Sequence, residues 1–562
     1  MGDAHKLRAG PLEATFSSGE LRHVRLGGVE VVQRIYVAVR DHNWGTTPGR
    51  LENVSWQVEG GGFRIVFDSI HQQGSVDFRW RGTIVGTESG NISFDMNGKA
   101  RSAFLRNRIG FCVHHPLREC AGTPCVVETA DGEHERMQFP EFVSPHQPFL
   151  NVRAITHEVA PGVSAEVRFH GEVFETEDHR NWTDANFKTY GTPLSLPFPV
   201  VVPAGAEVSQ RVEIRLRGAS ETLGPPHERV VRLRMAHASG ARLPRIGLGM
   251  ASDGRPLSET EIHALRRLNL SHLRVDLPPR GDWWDKLELA AAEAGAIGAK
   301  LEVAVTLPGD TSTLQNWAPV VDRWLVYREN EKATSAEAAG ELRAVVGPEA
   351  LIVVGTNAYF AELNRNRPEG EGWDAACFSV NPQVHAFDDE SVMANATAQF
   401  DAVRSALRFL DTRPVVVSPI TLRPRFNPDA AGSAVPPGPD PRQKLPFCAA
   451  WTLASLRALT RAGATSVTYF ETRGAGGVLD GEEIYPVFRV LEAAGEYAGA
   501  TVSPCESSDD SRVAALAIES GGKRRMLIAN LAGEPCEIGV EGHPETLNLQ
   551  PYAVTRHDGE EG

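Results

Sequence analysis

From about residue 244 to residue 500, short apolar runs alternate with amphipathic stretches eight times over. The runs are RIGLGM, HLRVDL, KLEVAVTL, RWLVYR, ALIVVGT, ACFSVNP, PVVVSPI and SVTYFET. Between them lie segments patterned as surface helices, among them SETEIHALRRL, DWWDKLELAAAEAGAIG and SVMANATAQFDAVRSALRFL. Strands covered on both faces by crossover helices need not alternate polar with apolar residues. Eight such strand and helix pairs predict a closed parallel (β/α)8 TIM barrel.

The flanks read differently. LRHVRLGGVEVVQRIYVAVRD, FRIVFDSIHQQGSVDFRWRGTIVG and AEVSQRVEIRLRG alternate apolar with polar residues and are broken by Gly and Asn. That is the pattern of half-buried antiparallel strands. Many of them at short spacing must bury one face against a second sheet, which predicts a large β-sandwich. After about residue 500, VAALAIESGGKRRMLIANL and CEIGVEG restore the β pattern in a segment too short for a core of its own. The expected organisation is an N-terminal β-sandwich over 1–240, a barrel over 241–500, and a small C-terminal β-domain over 501–562 packed on the barrel, with DGEEG as a frayed end. A chain of 562 residues is long enough for this multidomain α/β plus all-β arrangement.

A formal charge of −15 argues against nucleic acid or anionic lipid as partner, since both are held by clustered Lys and Arg. The seven cysteines are odd in number, and the CxxxxC of Cys120 and Cys125 lacks a second pair at zinc-ribbon spacing. Reduced thiols in a cytoplasmic protein are expected. MGDAHKLRAGPLEATF has no apolar run that could act as a signal peptide, and no stretch of about twenty apolar residues offers a membrane span. Oligomeric state leaves no mark in the sequence.

Chemistry in such a barrel belongs just beyond the carboxyl ends of the strands. After the fifth strand GTNAYFAELNRNRP offers Asn357, Tyr359, Glu362, Asn364, Arg365 and Arg367. The sixth gives NPQVHAFDD with Asn381, Gln383, His385 and Asp388. The seventh gives SPITLRPRFNP with Ser418, Thr421, Arg423, Arg425 and Asn427, and the eighth YFETRGAGG with Tyr469, Glu471 and Arg473. Glu362 and Glu471, three strands apart, are expected to face one another across the mouth, where two carboxylates can divide the work of base and acid. The plainer alternative is salt bridging, Glu362 to a neighbouring arginine and Glu471 to Arg473. Asp276, Glu329 and Glu331 are rival carboxylates, and His385 is a candidate proton carrier. His114 and His115, adjacent on a strand, point to opposite faces and make a poor chelate. GxSxG, HExxH and GxxxxGK[ST] are all absent, so serine hydrolase, zincin and nucleotide chemistry are not indicated.

The stretch FETEDHRNWTDANFKTY, residues 174–190, crowds carboxylates, amides and aromatic rings between apolar segments. Taken with NRIGFCVHHP, PLSLPFP, GTNAYFAELNRNRP, NPQVHAFD, SPITLRPRFNP and FETRGAGG in this order, it resembles the D-apionate lactonase family. The resemblance implies hydrolysis of a five-membered sugar-acid lactone, D-apionolactone, to D-apionate in apiose catabolism. It implies a small-molecule lactone as the partner, and no metal or cofactor is demanded. A positioned water, a base and oxyanion donors are then needed. Glu362 or Glu471 is the expected base with the other as acid, His385 assists, and Arg423, Arg425 or Asn381 faces the carbonyl oxygen. Asn181, Asp184, Lys188 and Tyr190 are expected to bind hydroxyls or a carboxylate, with Trp182 as a wall, and Asn357, Tyr359 and Asn364 complete the substrate set. A glycoside hydrolase with a glutamate pair and a noncatalytic sugar-binding protein are the alternatives.

Overall fold

The computed structural model describes residues 4–218, 230–235, 240–281, 283–426, 438–543 and 545–560. Asn427 lies outside them. The chain divides into two compact units, one of Met1–His179 with Asn186–Glu228, the other of Arg180–Ala185 with Arg229–Gly562.

The second unit contains the predicted barrel. Its strands are β1 (Arg245–Gly249), β2 (His272–Leu277), β3 (Lys300–Leu307), β4 (Val321–Arg328), β5 (Ile352–Gly355), β6 (Ala375–Val380), β7 (Val415–Ile420) and β8 (Ser466–Glu471). Each pairs in parallel with the next, and β8 closes onto β1 through Arg245↔Ser466 and Ile246↔Val467. All eight coincide with the apolar runs, because helices on the outside and side chains on the inside leave neither strand face wet. The helices between them carry ordinary start and stop chemistry. Ser258 and Glu261 form a reciprocal capping box at the start of Glu259–Arg266. Pro446–Ala462 begins on a proline and ends at Gly463, whose φ of 91° suits only glycine without strain. The barrel interior is divided. Ala304, Leu325, Tyr327, Val353, Cys377 and Val416 form an apolar cluster, while β2, β3 and β4 bring Arg274, Glu302 and Arg323 into contact with hydroxyls of β7 and β8.

Two larger β-sheets and the short pair of Leu479–Asp480 with Glu483–Ile484 complete this unit among the described residues. Val230–Met235 pairs in parallel with Cys536–Val540 and antiparallel with Cys505–Ser507. Ala241–Arg242 pairs with Thr501–Val502, ahead of Val513–Ser520, Lys523–Asn530 and Val554–Glu560. Residues Val230–Met235, which alternation alone assigns to the N-terminal sandwich, thus help to form the small C-terminal core of Val231, Leu233, Val513, Ile528, Cys536 and Ile538. The C-terminal residues are too few to cover themselves and recruit strands from before the barrel. Arg525 ties the module to the barrel helices through the Ala493 carbonyl at 3.2 Å and a contact with Glu496. The expected frayed end is a correction: up to Glu560 it continues an edge strand paired with Lys523–Asn530.

Among the described residues the N-terminal unit is a network of seventeen antiparallel strands around one core, in which Phe16, Phe67, Trp80, Phe94 and Phe111 pack ring against ring. His115 and His114 point to opposite faces as predicted. His115 is fully buried, bonded to Thr189 Oγ1 at 2.9 Å, while His114 meets the rings of Tyr36 and His179. All seven cysteines are buried and none forms a disulfide. Among the described residues no helix is long and apolar enough to cross a membrane.

Candidate active site

Glu302, in the middle of β3, is completely buried inside the barrel. A carboxylate there is costly unless every lone pair is met. Its Oε2 accepts from Arg323 Nε of β4 at 2.7 Å, and its Oε1 accepts from Ser418 Oγ of β7 and, at 3.0 Å, from Thr468 Oγ1 of β8. Arg323 also donates to Ser466 Oγ at 2.6 Å. His272 of β2 bonds Thr468 Oγ1 at 2.8 Å and Ser271 Oγ at 2.6 Å. Burial pushes the Glu302 carboxyl up, but Arg323, His272 and Arg274 outweigh it and hold it down to about 2. Burial and Arg323 hold the His272 imidazole down to about 3, so it is neutral.

Arg274 carries this network to the mouth. Its guanidinium donates to Ser418 Oγ at 2.8 Å, to Asp276 Oδ1 at 2.6 Å and to Asn357 Oδ1 at 2.9 Å. Arg425, from the loop after β7, donates to the same Asn357 Oδ1 at 3.0 Å and pairs with Asp276 Oδ2 at 3.1 Å. Burial would raise the Asp276 carboxyl, yet Arg274 and then Arg425 hold it well below the usual range. Two guanidinium donors on one amide atom identify it as the Asn357 oxygen, and the amide nitrogen has no described partner. Asp276 and Arg425 remain about one third exposed (36% and 32%), so the ladder ends at solvent.

The predicted residues distribute around this ladder. Glu471, half-buried at the end of β8, accepts at Oε2 from Ser252 N at 3.1 Å and Ser252 Oγ at 3.2 Å. Arg473 does not pair with it, but with Asp253 at 2.5 Å. Glu362 lies in the short helix Phe360–Arg365, where residues 360 to 364 are all buried. Among the described contacts, none joins Glu362 to Glu471. Glu331 caps the helix after β4 by accepting from Ser335 N at 3.0 Å, and Glu329 is exposed.

Residues 180–185, the middle of the crowded motif, belong to the barrel unit. Asn181 Oδ1 accepts from Asn364 Nδ2 at 3.1 Å, and Trp182 lies between His385, edge-on at 5.4 Å, and Arg365, whose guanidinium is 5.1 Å from its ring centre. Asp184 Oδ2 is 2.7 Å from His385 Nδ1, and its Oδ1 accepts from Asn395 Nδ2 at 3.0 Å. Asn395 Oδ1 in turn accepts from Ala185 N at 2.9 Å. This carboxylate and imidazole pair joins two residues far apart in sequence. Asn381 is buried and accepts from Thr183 Oγ1 through its carbonyl at 3.3 Å. Tyr359 donates to the Phe426 carbonyl at 3.4 Å, and Arg423 pairs with Asp440 at 3.4 Å. Lys188 and Tyr190 belong to the N-terminal unit. There Lys188 Nζ lies 3.0 Å from His179 Nε2 and beside Glu177, and Tyr190 donates to Glu175 at 2.7 Å. Arg274, Glu302 and Arg323 are the site-supporting residues that sequence reasoning passes over. The signal was present for Arg274 and Glu302, each a charge inside an apolar run, while Arg323 opens its run and reads as an ordinary strand end.

Sequence comparison adds the family. The profile of the D-apionate lactonase N-terminal domain matches residues 2–219, that of its TIM barrel domain 328–499, and that of its C-terminal immunoglobulin-like domain 510–557. The chain belongs to the D-apionate lactonase family. The D-apionate lactonase of Brucella anthropi is 29% identical to it over 98% of this chain and 96% of that protein. Solved structures resemble it more distantly. A GH30 endoxylanase of Clostridium papyrosolvens C71 matches at 10% identity over 59% of this chain and 100% of its own, with a TM-score of 0.41. A conserved exported protein of Bacteroides fragilis matches at 9% identity over the same shares, with a TM-score of 0.42. At these scores the structural likeness carries no argument.

Proposed function

We propose that this chain hydrolyses a sugar-acid lactone, D-apionolactone, to the open-chain acid D-apionate. The observation that carries the reading is the match along 98% of the chain to the D-apionate lactonase of Brucella anthropi. The barrel mouth supplies chemistry that suits it. His385 directs Nδ1 at Asp184, which leaves Nε2 as the basic nitrogen and stabilises the imidazolium once it forms. Water attacks the lactone carbonyl carbon and passes a proton to His385 Nε2. Arg425 and the Asn357 amide nitrogen hold the carbonyl oxygen as it becomes an oxyanion. The bond to the ring oxygen then breaks, the imidazolium returns its proton to that oxygen, and the new carboxylic acid ionises at neutral pH. Glu471, whose Oε1 accepts no described bond, takes a substrate hydroxyl. A carboxylate-oriented imidazole is favoured over Glu362 as base because Glu362 sits in the buried stretch of its helix. Acid release from freshly prepared D-apionolactone, corrected for spontaneous opening, tests the reading. Turnover that His385→Ala abolishes supports it, and a rate equal to buffer alone rejects it.

A further inference from the structure

The motifs NRIGFCVHHP and PLSLPFP meet in the N-terminal unit, and the reaction proposed above uses neither. Arg108, from the strand Phe104–Pro116, is 5% exposed. Its Nη1 donates to the Asn107 carbonyl at 2.7 Å. Its Nε and Nη2 are buried, and among the described residues neither meets an acceptor. These two nitrogens form one edge of the guanidinium. The same edge of Arg34 grips the Glu20 carboxylate elsewhere in this unit, at 2.8 and 2.6 Å. Two rings frame Arg108. Its guanidinium carbon lies 5.2 Å from the Trp44 ring centre and 4.9 Å from that of Phe198, and the rings are 5.1 Å apart.

The carboxylates of this region are committed to other donors. Asp41 accepts from Asn43 N and Gly45 N, each at 2.8 Å. Glu172 accepts from Gln210 Nε2 at 2.8 Å and from Thr192 Oγ1. Glu175 accepts from the Tyr190 hydroxyl and from Leu194 N, each at 2.7 Å. Among the described residues none of them closes on the Arg108 edge. A buried pair of donors is costly unless something accepts from it.

We propose that the Nε and Nη2 edge of Arg108 binds the carboxylate group of a small organic monocarboxylate. A planar carboxylate meets such an edge with two parallel charge-assisted bonds. Asp41, Glu172 and Glu175 already match Arg108 and its neighbours Arg40 and Arg106 in number. The region therefore takes one added negative charge more readily than the nearly double charge of a phosphate group. The way in runs past Phe198, which is 41% exposed in a stretch, residues 194–199, that is exposed throughout. The site does not depend on the hydrolase reading and adds to it.

Calorimetric titration of the full chain with acetate, acetamide and inorganic phosphate tests the site. It is carried out on Arg425→Gln, so that no carboxylate taken up by Arg425 at the barrel mouth is counted. Acetate is expected to bind at least about tenfold more tightly than acetamide, and more tightly than phosphate. Adding Arg108→Lys keeps the charge but removes the edge, and is expected to weaken acetate at least about tenfold. Adding Phe198→Ala instead changes an exposed position, so the chain is expected to fold and to bind acetate at least about threefold more weakly as the ring contact is lost. Acetate that binds no better than acetamide overturns the proposal, as does undiminished acetate affinity in Phe198→Ala or in a folded Arg108→Lys. Phosphate that binds as tightly as acetate overturns the assignment to a monocarboxylate. Each of these outcomes is read without any lactone being opened.

Discussion

Replacing Glu302 with glutamine is the sharpest test of how the barrel carries its buried charge. The variant keeps the volume and an acceptor for Ser418 or Thr468, but leaves Arg323 and Arg274 without their shared interior counter-charge. The carboxyl is held from the ordinary 4.5 down to about 2. At about 1.4 kcal/mol per pH unit, that difference corresponds to about 3–4 kcal/mol of stability at neutral pH. Orphaning one partner of a buried ion pair costs about 3–5 kcal/mol, in agreement. A depressed carboxyl contributes fully above its unfolded value and loses its contribution as pH falls through the folded one. The wild type should therefore shed this increment between about pH 4.5 and 2, and Glu302→Gln should have none to shed there. Urea unfolding followed by circular dichroism at pH 7 measures the first quantity, and the difference between the two proteins across the acid window measures the second. A variant within about 0.5 kcal/mol of wild type at pH 7 would refute the reasoning, as would identical acid profiles.

Asp184→Asn should lower kcat about a hundredfold with little change in KM, because the imidazole loses the partner that sets its tautomer; a loss under threefold in steady-state assays contradicts this. Glu471→Gln should raise KM about tenfold and leave kcat within about threefold, whereas a collapse of kcat would make Glu471 the base. In the N-terminal unit burial holds His157 down to about 4, and burial with His157 nearby holds His115 down to about 3. Unfolded histidine takes up its proton near 6.5, so stability should fall below about pH 6.5, by up to about 1.4 kcal/mol per pH unit for each residue. His157→Leu should flatten that slope, and an unchanged dependence of unfolding free energy on pH would count against it.

The barrel was legible because its strands are wrapped on the outside, and an apolar run is all that such wrapping asks of a sequence. Pairing partners are not written locally. Val230–Met235 alternates like any sandwich strand, and only a sheet assembled from residues 270 to 307 positions further on reveals where it belongs. The same limit hid the charged interior. In HLRVDL and KLEVAVTL, Arg274 and Glu302 read as interruptions, yet they are the residues on which the mouth is built. Their partners Ser418, Thr468 and Arg323 come from other strands, and no periodicity announces a bond across a barrel. Asn357, Arg425 and His385 entered the candidate set through a rule of position, the carboxyl end of a parallel strand. Glu362 and Glu471 satisfied the same rule by count, and only coordinates distinguish a carboxylate within a buried helix from one at a half-open strand end.

The central claim is that His385, held by Asp184, activates water against a lactone whose carbonyl is gripped by Arg425 and Asn357. Titrating the acid released from D-apionolactone by wild type and by His385→Ala at neutral pH tests it most directly. The account predicts steady acid release by the wild type and a rate at the spontaneous level for the variant. Equal rates in the two proteins would contradict it.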